Sequence, residues 1–274
     1  MTFALKIMFR RIRNSGVFGA LCQVVIAASP LREAPHLAAI PADQLVVAGN
    51  ACGPTALLNA FRFGNEDWQR AANSIVGETD KQRIYSIIRE NGMRPSHSIL
   101  GRPRWSQNGV NLTDLQDIAN EMTRGQFLPW VSHQVLFLKP RETLEKLLRR
   151  AHQNLETSLA KGLPPVVSLR RYVLRRELGK PAGWVVLDAH FITLISIPRK
   201  LEKEACSFPV SYIDPWGGKI CHGVFAIPEQ AVLASSASGS PCLEAVLPLA
   251  GVGKKGVRTG EITALSVAAV LGRW

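Results

Sequence analysis

The sequence of 274 residues has five cysteines but no Cys-x-x-Cys pair. Structural zinc sites are usually built from such pairs, so this absence argues against a zinc-binding framework. No internal repeat stands out, and nothing in the composition suggests collagen, low complexity or wholesale disorder. Hydrophobic residues make up 46% of the chain and charged residues 20%. These values are typical of a globular protein, and the length is sufficient to bury a sizeable core.

Acidic residues are outnumbered by basic ones, which gives the chain a formal net charge of +12. A surface with this charge could attract nucleic acid, anionic polymers of a cell envelope or acidic peptides. The basic residues are scattered, however, and no strip of basic residues interleaved with aromatic ones is present. We therefore predict no sequence-specific nucleic-acid binding and interpret the charge as a solvated face.

The first 29 residues have the pattern of a secretory signal peptide. Four basic residues between positions 6 and 13 precede an apolar stretch at 16–28, which ends in small residues. This stretch is too short for a comfortable membrane span, and no later run is apolar and long enough. The prediction is an exported protein (periplasmic, cell envelope or secreted) without a transmembrane anchor. An amphipathic or buried N-terminal helix is the alternative.

Export would also permit a disulfide bond, because oxidising compartments allow such bonds to persist. Three cysteines, Cys206, Cys221 and Cys242, are candidates for that pairing. Their spacing does not decide which two would pair.

The order of the predicted elements indicates an α+β fold. Apolar residues spaced three to four apart predict helices in the first part of the chain, and short apolar runs predict strands after position 165. Helices followed by an antiparallel-looking sheet are typical of this class. We predict one domain at 30–250 and a tail at 251–274 that is docked or flexible. The Gly-x-Gly-x-x-Gly pattern at 251–256 opens no evident βαβ unit, so we interpret it as a turn.

Cys52 stands in the most informative segment, Asn50-Ala51-Cys52-Gly53-Pro54-Thr55-Ala56-Leu57-Leu58. Proline is favoured at the first position of a helix, and the apolar residues after it can bury one helix face. A thiol at that helix start lies against the positive end of the helix dipole, which favours the thiolate. The pattern therefore indicates a nucleophile. The alternative is an ordinary core cysteine, since cysteine is often buried.

A cysteine nucleophile needs a base, and a third group that orients the base. Of the six histidines, His190 is the best candidate because it begins an apolar strand directly after a turn-like segment. A second strand ends at Asp214, which adjacent strands could bring beside His190. Alternatively, His190 is a satisfied strand-end histidine and Asp214 caps the following turn. Asp188 and His190, with His222 as a third ligand, form a less favoured metal-site hypothesis.

These three segments resemble the papain-like cysteine peptidases, and most closely the branch that contains the bacteriocin-leader peptidases and their stand-alone relatives. The residues that carry the resemblance are Cys52-Gly53-Pro54-Thr55-Ala56-Leu57, Ala189-His190-Phe191 and Tyr212-Ile213-Asp214-Pro215-Trp216-Gly217-Gly218. The chain order Cys, His, Asp is the same. The resemblance implies a papain-like fold, in which a helical half that carries the cysteine packs on an antiparallel sheet that carries His190 and Asp214.

The family usually places a glutamine about six residues before the cysteine, where it helps to bind the oxyanion. Position 46 is Val46 in this chain, whereas Gln44 and Asn50 are the nearest amides. Either amide could act with the Cys52 backbone N–H, since the role needs only a donor aimed at the developing charge. The oxyanion donor therefore has two candidates, Gln44 and Asn50.

The expected activity is hydrolysis of a peptide or related amide bond in a peptide or protein substrate, with a Cys52, His190 and Asp214 triad and no metal or organic cofactor. Trp105, Trp184 and Trp216 are candidates for the walls of the substrate cleft, although tryptophan more often packs in a core. An acyl transferase of the transglutaminase kind and an inactive binding domain of the same fold are alternatives.

Overall fold

The computed structural model describes residues 30–175, 182–228, 243–253 and 256–274. This part of the chain is a mixed α+β structure with an antiparallel sheet and helices, which confirms the predicted fold class. The predicted signal peptide at 1–29 and Cys242 lie outside the described residues. Within the described ranges, no helix is both long and apolar enough to cross a bilayer.

Helices dominate the first half of the chain. The described α-helices are α1 (Cys52–Arg62), α2 (Glu66–Asn73), α3 (Asp80–Ile87), which continues into a π-helical turn (Ile88–Gly92), α4 (Leu112–Met122) and α5 (Leu144–Ala160).

The N-termini of these helices differ in one respect. A side chain at the N-cap accepts a backbone hydrogen bond at the start of α2, α3, α4 and α5, and these caps are Asn65, Thr79, Asn111 and Thr143. Ala51 occupies the same position before α1 and has no side-chain oxygen with which to cap it. The first N–H groups of α1 therefore lack the usual capping partner.

The α1 helix lies inside the molecule. Every residue from Cys52 to Phe61 is buried, as expected of a helix packed on all sides. One side-chain bond joins it to the sheet, because the Thr193 hydroxyl donates to the Ala56 carbonyl at 2.8 Å. The buried Asn59 side chain also bonds both backbone groups of Ala42. These contacts fix the start of α1 against its neighbours.

The second half of the chain forms the main sheet. Its strands are β1 (Leu31–Glu33), β4 (Ser132–Val135), β5 (Val166–Arg175), β6 (Gly183–Pro198), β7 (Ser207–Asp214), β8 (Lys219–Ala226), β9 (Leu243–Val246) and β10 (Thr263–Gly272). A separate hairpin consists of β2 (Trp105–Ser106) and β3 (Gly109–Val110).

Six strands of the main sheet form a closed ring. The order is β6, β5, β10, β9, β8 and β7, and β7 pairs in turn with β6, every pairing being antiparallel. Inward side chains such as Val167, Ile192, Tyr212 and Phe225 fill this barrel. A second apolar cluster lies between the barrel and the helices around α1.

Two sequence predictions need correction. The chain after residue 250 is not a tail, because β10 lies within the barrel between β5 and β9. Its run of small apolar residues lacks the aromatic and β-branched density by which a strand is usually identified. The second concerns His190, which does not begin a strand after a turn, because Asp188 and Ala189 before it keep their pairing with β5 and belong to the same long strand, β6.

Candidate active site

His190 and Asp214 meet at one end of the barrel. They lie on the neighbouring strands β6 and β7, and His190 Nε2 donates to Asp214 Oδ1 at 2.8 Å. Both residues are buried: 4% of the surface of His190 and 1% of that of Asp214 are exposed. Water is therefore largely excluded from this bond, and the bond fixes the orientation of the imidazole.

Backbone groups hold the Asp214 carboxylate as well. Oδ1 accepts the Trp216 N–H at 2.8 Å, and Oδ2 accepts the Gly251 N–H at 2.7 Å. Burial opposes ionisation of Asp214, but the hydrogen bond and charge of His190, followed by the two backbone N–H groups, lower its pKa. Asp214 thus both orients His190 and caps the turn that follows β7, so the two interpretations of this residue apply together.

Cys52 lies at the first turn of α1, on the helical side of the same site. The adjacent Gly53 packs closely, since a Cβ there would lie 2.4 Å from Val110 Cγ1 and 3.5 Å from Phe191 Cδ2. Phe191 follows His190 on β6. The thiol residue and the imidazole residue are consequently brought together from two halves of the chain, with Cys52 itself 3% exposed.

The protonation of His190 reflects both neighbours. Burial alone would lower its pKa, but hydrogen bonds to Asp214 and Cys52, together with the charges of these two residues, raise the pKa to about 10. Because Nε2 is occupied by Asp214, Nδ1 is the nitrogen left for Cys52. A cysteine, an imidazole and a carboxylate in this relation can hold and transfer one proton.

Asn50 lies beside the backbone of Cys52. The side-chain atom that faces the Cys52 N–H is the amide oxygen of Asn50, which is an acceptor. The Cys52 N–H points at Asn50 Oδ1 across 3.5 Å, which is longer than an ordinary hydrogen bond. The Trp105 indole N–H donates to the Asn50 carbonyl at 2.9 Å, and the Gln107 carbonyl accepts the Asn50 N–H. The β2–β3 hairpin therefore holds Asn50 in place.

Gln44 lies beside the other wall of the site. It begins a short 3-10 turn (Gln44–Val46), and its N–H donates to the Pro215 carbonyl at 2.8 Å. The residue is 3% exposed, and its side-chain oxygen Oε1 is buried without a hydrogen-bond partner among the described residues. A buried amide with an unused polar atom is costly unless a ligand supplies the partner.

Asp43 is a supporting residue that the sequence did not reveal. Its Oδ1 accepts the N–H of Leu45 and also the N–H of Gly217, at 2.9 Å each. Gly218, at a φ of +57°, passes close to Pro41 and Asp43. The turn after Asp214 is thereby joined to the segment that carries Gln44. Pro215 and the Gly217-Gly218 pair marked this turn in the sequence, and nothing there indicated its partner.

The three tryptophan candidates have different positions. Trp105 contacts Asn50 beside the Cys52 segment, and the half-exposed Trp216 lies in the turn after Asp214. Trp184 is near the start of β6, about 20 Å along the strand from His190. It does not line the cavity beside the site.

The alternative metal ligands do not converge. Asp188 accepts the N–H groups of Ala189 and Gly253, and His222 hydrogen-bonds to the Ser211 hydroxyl. Across the described ranges, no group of three or more His, Cys, Asp or Glu side chains could hold a metal ion. The Cys206 and Cys221 sulfurs are not joined to each other by a disulfide bond.

A cavity of about 350 Å³ opens beside the site, between the β2–β3 hairpin and the outer face of the barrel. Val110 and Phe191, which pack against Gly53, form part of its lining, and so does Ala189, the neighbour of His190. Ala268 and Ala269 lie at a bulge in β10 and also line it. Their small side chains leave the space open.

Comparisons with known proteins add no relative to this description. No protein-family model, no curated protein and no solved structure matches the chain.

Proposed function

We propose that this protein is a cysteine peptidase with a papain-like fold, in which Cys52 is the nucleophile, His190 the base and Asp214 the orienting group. The buried His190–Asp214 hydrogen bond of 2.8 Å, facing the uncapped start of α1 at Cys52, carries the proposal. A helix that presents a cysteine to histidine and aspartate on an antiparallel barrel supports the papain-like assignment.

The proposed reaction begins when the Cys52 sulfur attacks the carbonyl carbon of a peptide bond. The proton of the thiol already resides on His190 Nδ1, since the pKa of the imidazole is raised to about 10, and Asp214 holds Nε2 and stabilises this imidazolium. His190 then gives that proton to the departing amine, which leaves an acyl group on Cys52. Water attacks this thioester, His190 takes a proton from the water, and the product acid leaves Cys52 with the proton again on His190.

The negative oxygen of the tetrahedral intermediate needs donors during both steps. The Cys52 N–H is one, because its contact with Asn50 is long enough to be exchanged for a better acceptor. The Gln44 side-chain amide, through Nε2, is the second donor in our proposal, since Gln44 lies next to the Asp214 turn and its Nε2 donates no hydrogen bond to another described residue. We assign Asn50 to positioning.

Selective alkylation tests the activated thiol. Cys52 and Cys221 are equally buried, at 3% and 2% exposed, but only Cys52 lies beside an imidazole. Iodoacetamide at neutral pH, read by peptide mass spectrometry, should label Cys52 much faster than Cys221. Similar slow labelling of both thiols in the folded protein would count against an activated Cys52.

Loss of the sulfur tests the reaction itself. Cys52→Ala should reduce hydrolysis of a peptide library by at least about 10⁴-fold, because the acyl intermediate can no longer form. Cys206→Ala is the matched control and should keep its rate. Addition of a primary amine to the wild-type reaction distinguishes hydrolysis from acyl transfer by its product. Hydrolysis that survives in Cys52→Ala would refute the mechanism.

We also propose export, on the pattern of residues 1–29 alone. N-terminal sequencing of the mature protein from a cell-envelope or culture fraction tests this point independently of activity.

A further inference from the structure

The cavity beside Cys52 and His190 carries positive charge. Arg170, on β5, and Arg102, in the loop before the β2–β3 hairpin, both line it, and no acidic residue of the described ranges does so. The rest of the lining is largely apolar and includes Val110 and Phe191. Two cations facing a partly apolar space form an environment suited to an anion.

The two arginines differ in how they are compensated. Arg102 lies 3.8 Å from Asp114, a buried carboxylate that is already hydrogen-bonded to Ser96 and Asn111. The Nε atom of Arg102 is buried and has no hydrogen-bond partner among the described residues. Arg170 is partly buried and forms no ion pair or side-chain hydrogen bond within the described residues. A guanidinium in that position loses hydration without gaining a counter-charge.

We infer that this cavity binds a carboxylate of the substrate, with Arg170 as its main partner and Arg102 as a second cation. The planar guanidinium group matches a carboxylate by paired hydrogen bonds. The cavity begins at Val110 and Phe191, which pack against Gly53, so the carboxylate lies on a residue close to the bond that Cys52 attacks. This inference rests on the proposed peptidase function and adds a specificity for acidic peptides to it.

A substrate could supply this carboxylate from an acidic side chain or from a free C-terminus. The test therefore uses fluorogenic peptides with an amidated C-terminus, matched in pairs that carry Glu or Gln at each position around the scissile bond. A third set carries Gln and a free C-terminus. Wild-type protein should favour the carboxylate-bearing peptides by about 10- to 100-fold in kcat/KM at one position. The peptide set with the higher kcat/KM shows whether the carboxylate comes from a side chain or from the C-terminus.

Variants assign that preference to Arg170. Arg170→Met should remove most of it while the rate on Gln peptides stays close to wild type, and Arg170→Glu should favour a Lys peptide instead. Arg70→Met is the matched control, because Arg70 is an exposed arginine of α2 outside the cavity. It loses the same charge, so it shows how much of the preference comes from the general attraction of a chain of net charge +12.

Failures of the two proposals are distinguishable. Equal rates on Glu, Gln and free-acid peptides, with hydrolysis still dependent on Cys52, would overturn the carboxylate site alone. An equal loss on all peptides in Arg170→Met would also overturn it, as a merely structural effect. Fluorescence anisotropy of the same labelled peptides with Cys52→Ala protein decides the matter without turnover. Preferential binding of the acidic peptides supports the site even if no peptide is cleaved, whereas equal or absent binding overturns it.

Discussion

The base side and the oxyanion side of the candidate site differ in how fully the protein satisfies their polar groups. On the base side, Asp214 accepts three hydrogen bonds of 2.7–2.8 Å, from His190, Trp216 and Gly251. On the oxyanion side, the Cys52 N–H has only a 3.5 Å contact, and Gln44 Nε2 donates no hydrogen bond to another described residue.

This difference has a chemical meaning under the proposed mechanism. The base must be oriented before substrate arrives, so its hydrogen bonds are formed within the protein. Oxyanion donors contribute only when negative charge develops, and a donor already tied to a good internal acceptor would contribute little. The satisfied hydrogen bonds of the base side therefore suit the orientation of His190, and the unsatisfied donors of the oxyanion side suit the binding of the developing negative charge.

Truncation of Asp214, on the base side, should lower kcat/KM more than any change on the oxyanion side. Asp214→Ala leaves His190 Nε2 and two backbone N–H groups without their acceptor, so kcat/KM should fall on the order of 10²- to 10⁴-fold. Asp214→Asn keeps one acceptor oxygen and should recover part of the loss, which separates orientation from charge. Peptide hydrolysis in matched assays measures both. A rate within threefold of wild type for the alanine variant would show that His190 needs no partner.

Truncation of Gln44 or Asn50, on the oxyanion side, should lower the rate of hydrolysis by a smaller factor. Gln44→Ala removes the proposed second oxyanion donor and should lower kcat on the order of 10²-fold with little change in KM. Asn50→Ala should have a smaller effect, because its Oδ1 faces the Cys52 N–H as an acceptor. Steady-state kinetics of both variants makes the comparison, and urea unfolding excludes a folding defect. A larger loss of kcat in Asn50→Ala would reverse these two roles.

The smallest predicted effect concerns stability and pH. His190 has its pKa raised from 6.5 to about 10, so its stabilising contribution is complete below pH 6.5 and is lost as the pH rises towards 10. The difference in unfolding free energy between wild type and His190→Gln should therefore shrink across that interval. Urea titrations at several pH values measure it.

His152 provides the control of opposite sign. Burial lowers the pKa of His152, and its contacts with Pro198 and Glu156 only partly offset this effect. The wild-type protein should therefore lose stability relative to His152→Gln as the pH falls below 6.5. A His190 variant that followed the His152 pattern would contradict the ionised pairing with Asp214.

Local signals predicted much of the site. Pro54 and the apolar residues after it marked the start of α1, and the Asp-Pro-aromatic-Gly-Gly sequence marked the end of β7. The apolar run after His190 identified a strand, although β6 already begins at Gly183. These signals work because helix starts and turns depend on residues that are neighbours in the chain.

Other features had no local signal. The run of small residues in β10 gave little indication of a strand, and its place between β5 and β9 comes from closure of the barrel. Trp184 seemed close to His190 in sequence, but an extended strand separates them by about 20 Å. The bond from Thr193 to Ala56 joins residues 137 positions apart, and no pattern in either segment indicates the other.

The sequence by itself determined the α+β class, the helix that begins at Cys52 and the strand end at which Asp214 lies. Periodicity, proline and glycine encode such features because backbone preferences are local. Only the tertiary structure decided that β6 and β7 are neighbours, that Gln44 lies against the Asp214 turn, and that Arg170 faces the cavity beside Cys52. Those relations depend on strand pairing and on packing between the helices and the barrel, which join residues far apart in the chain.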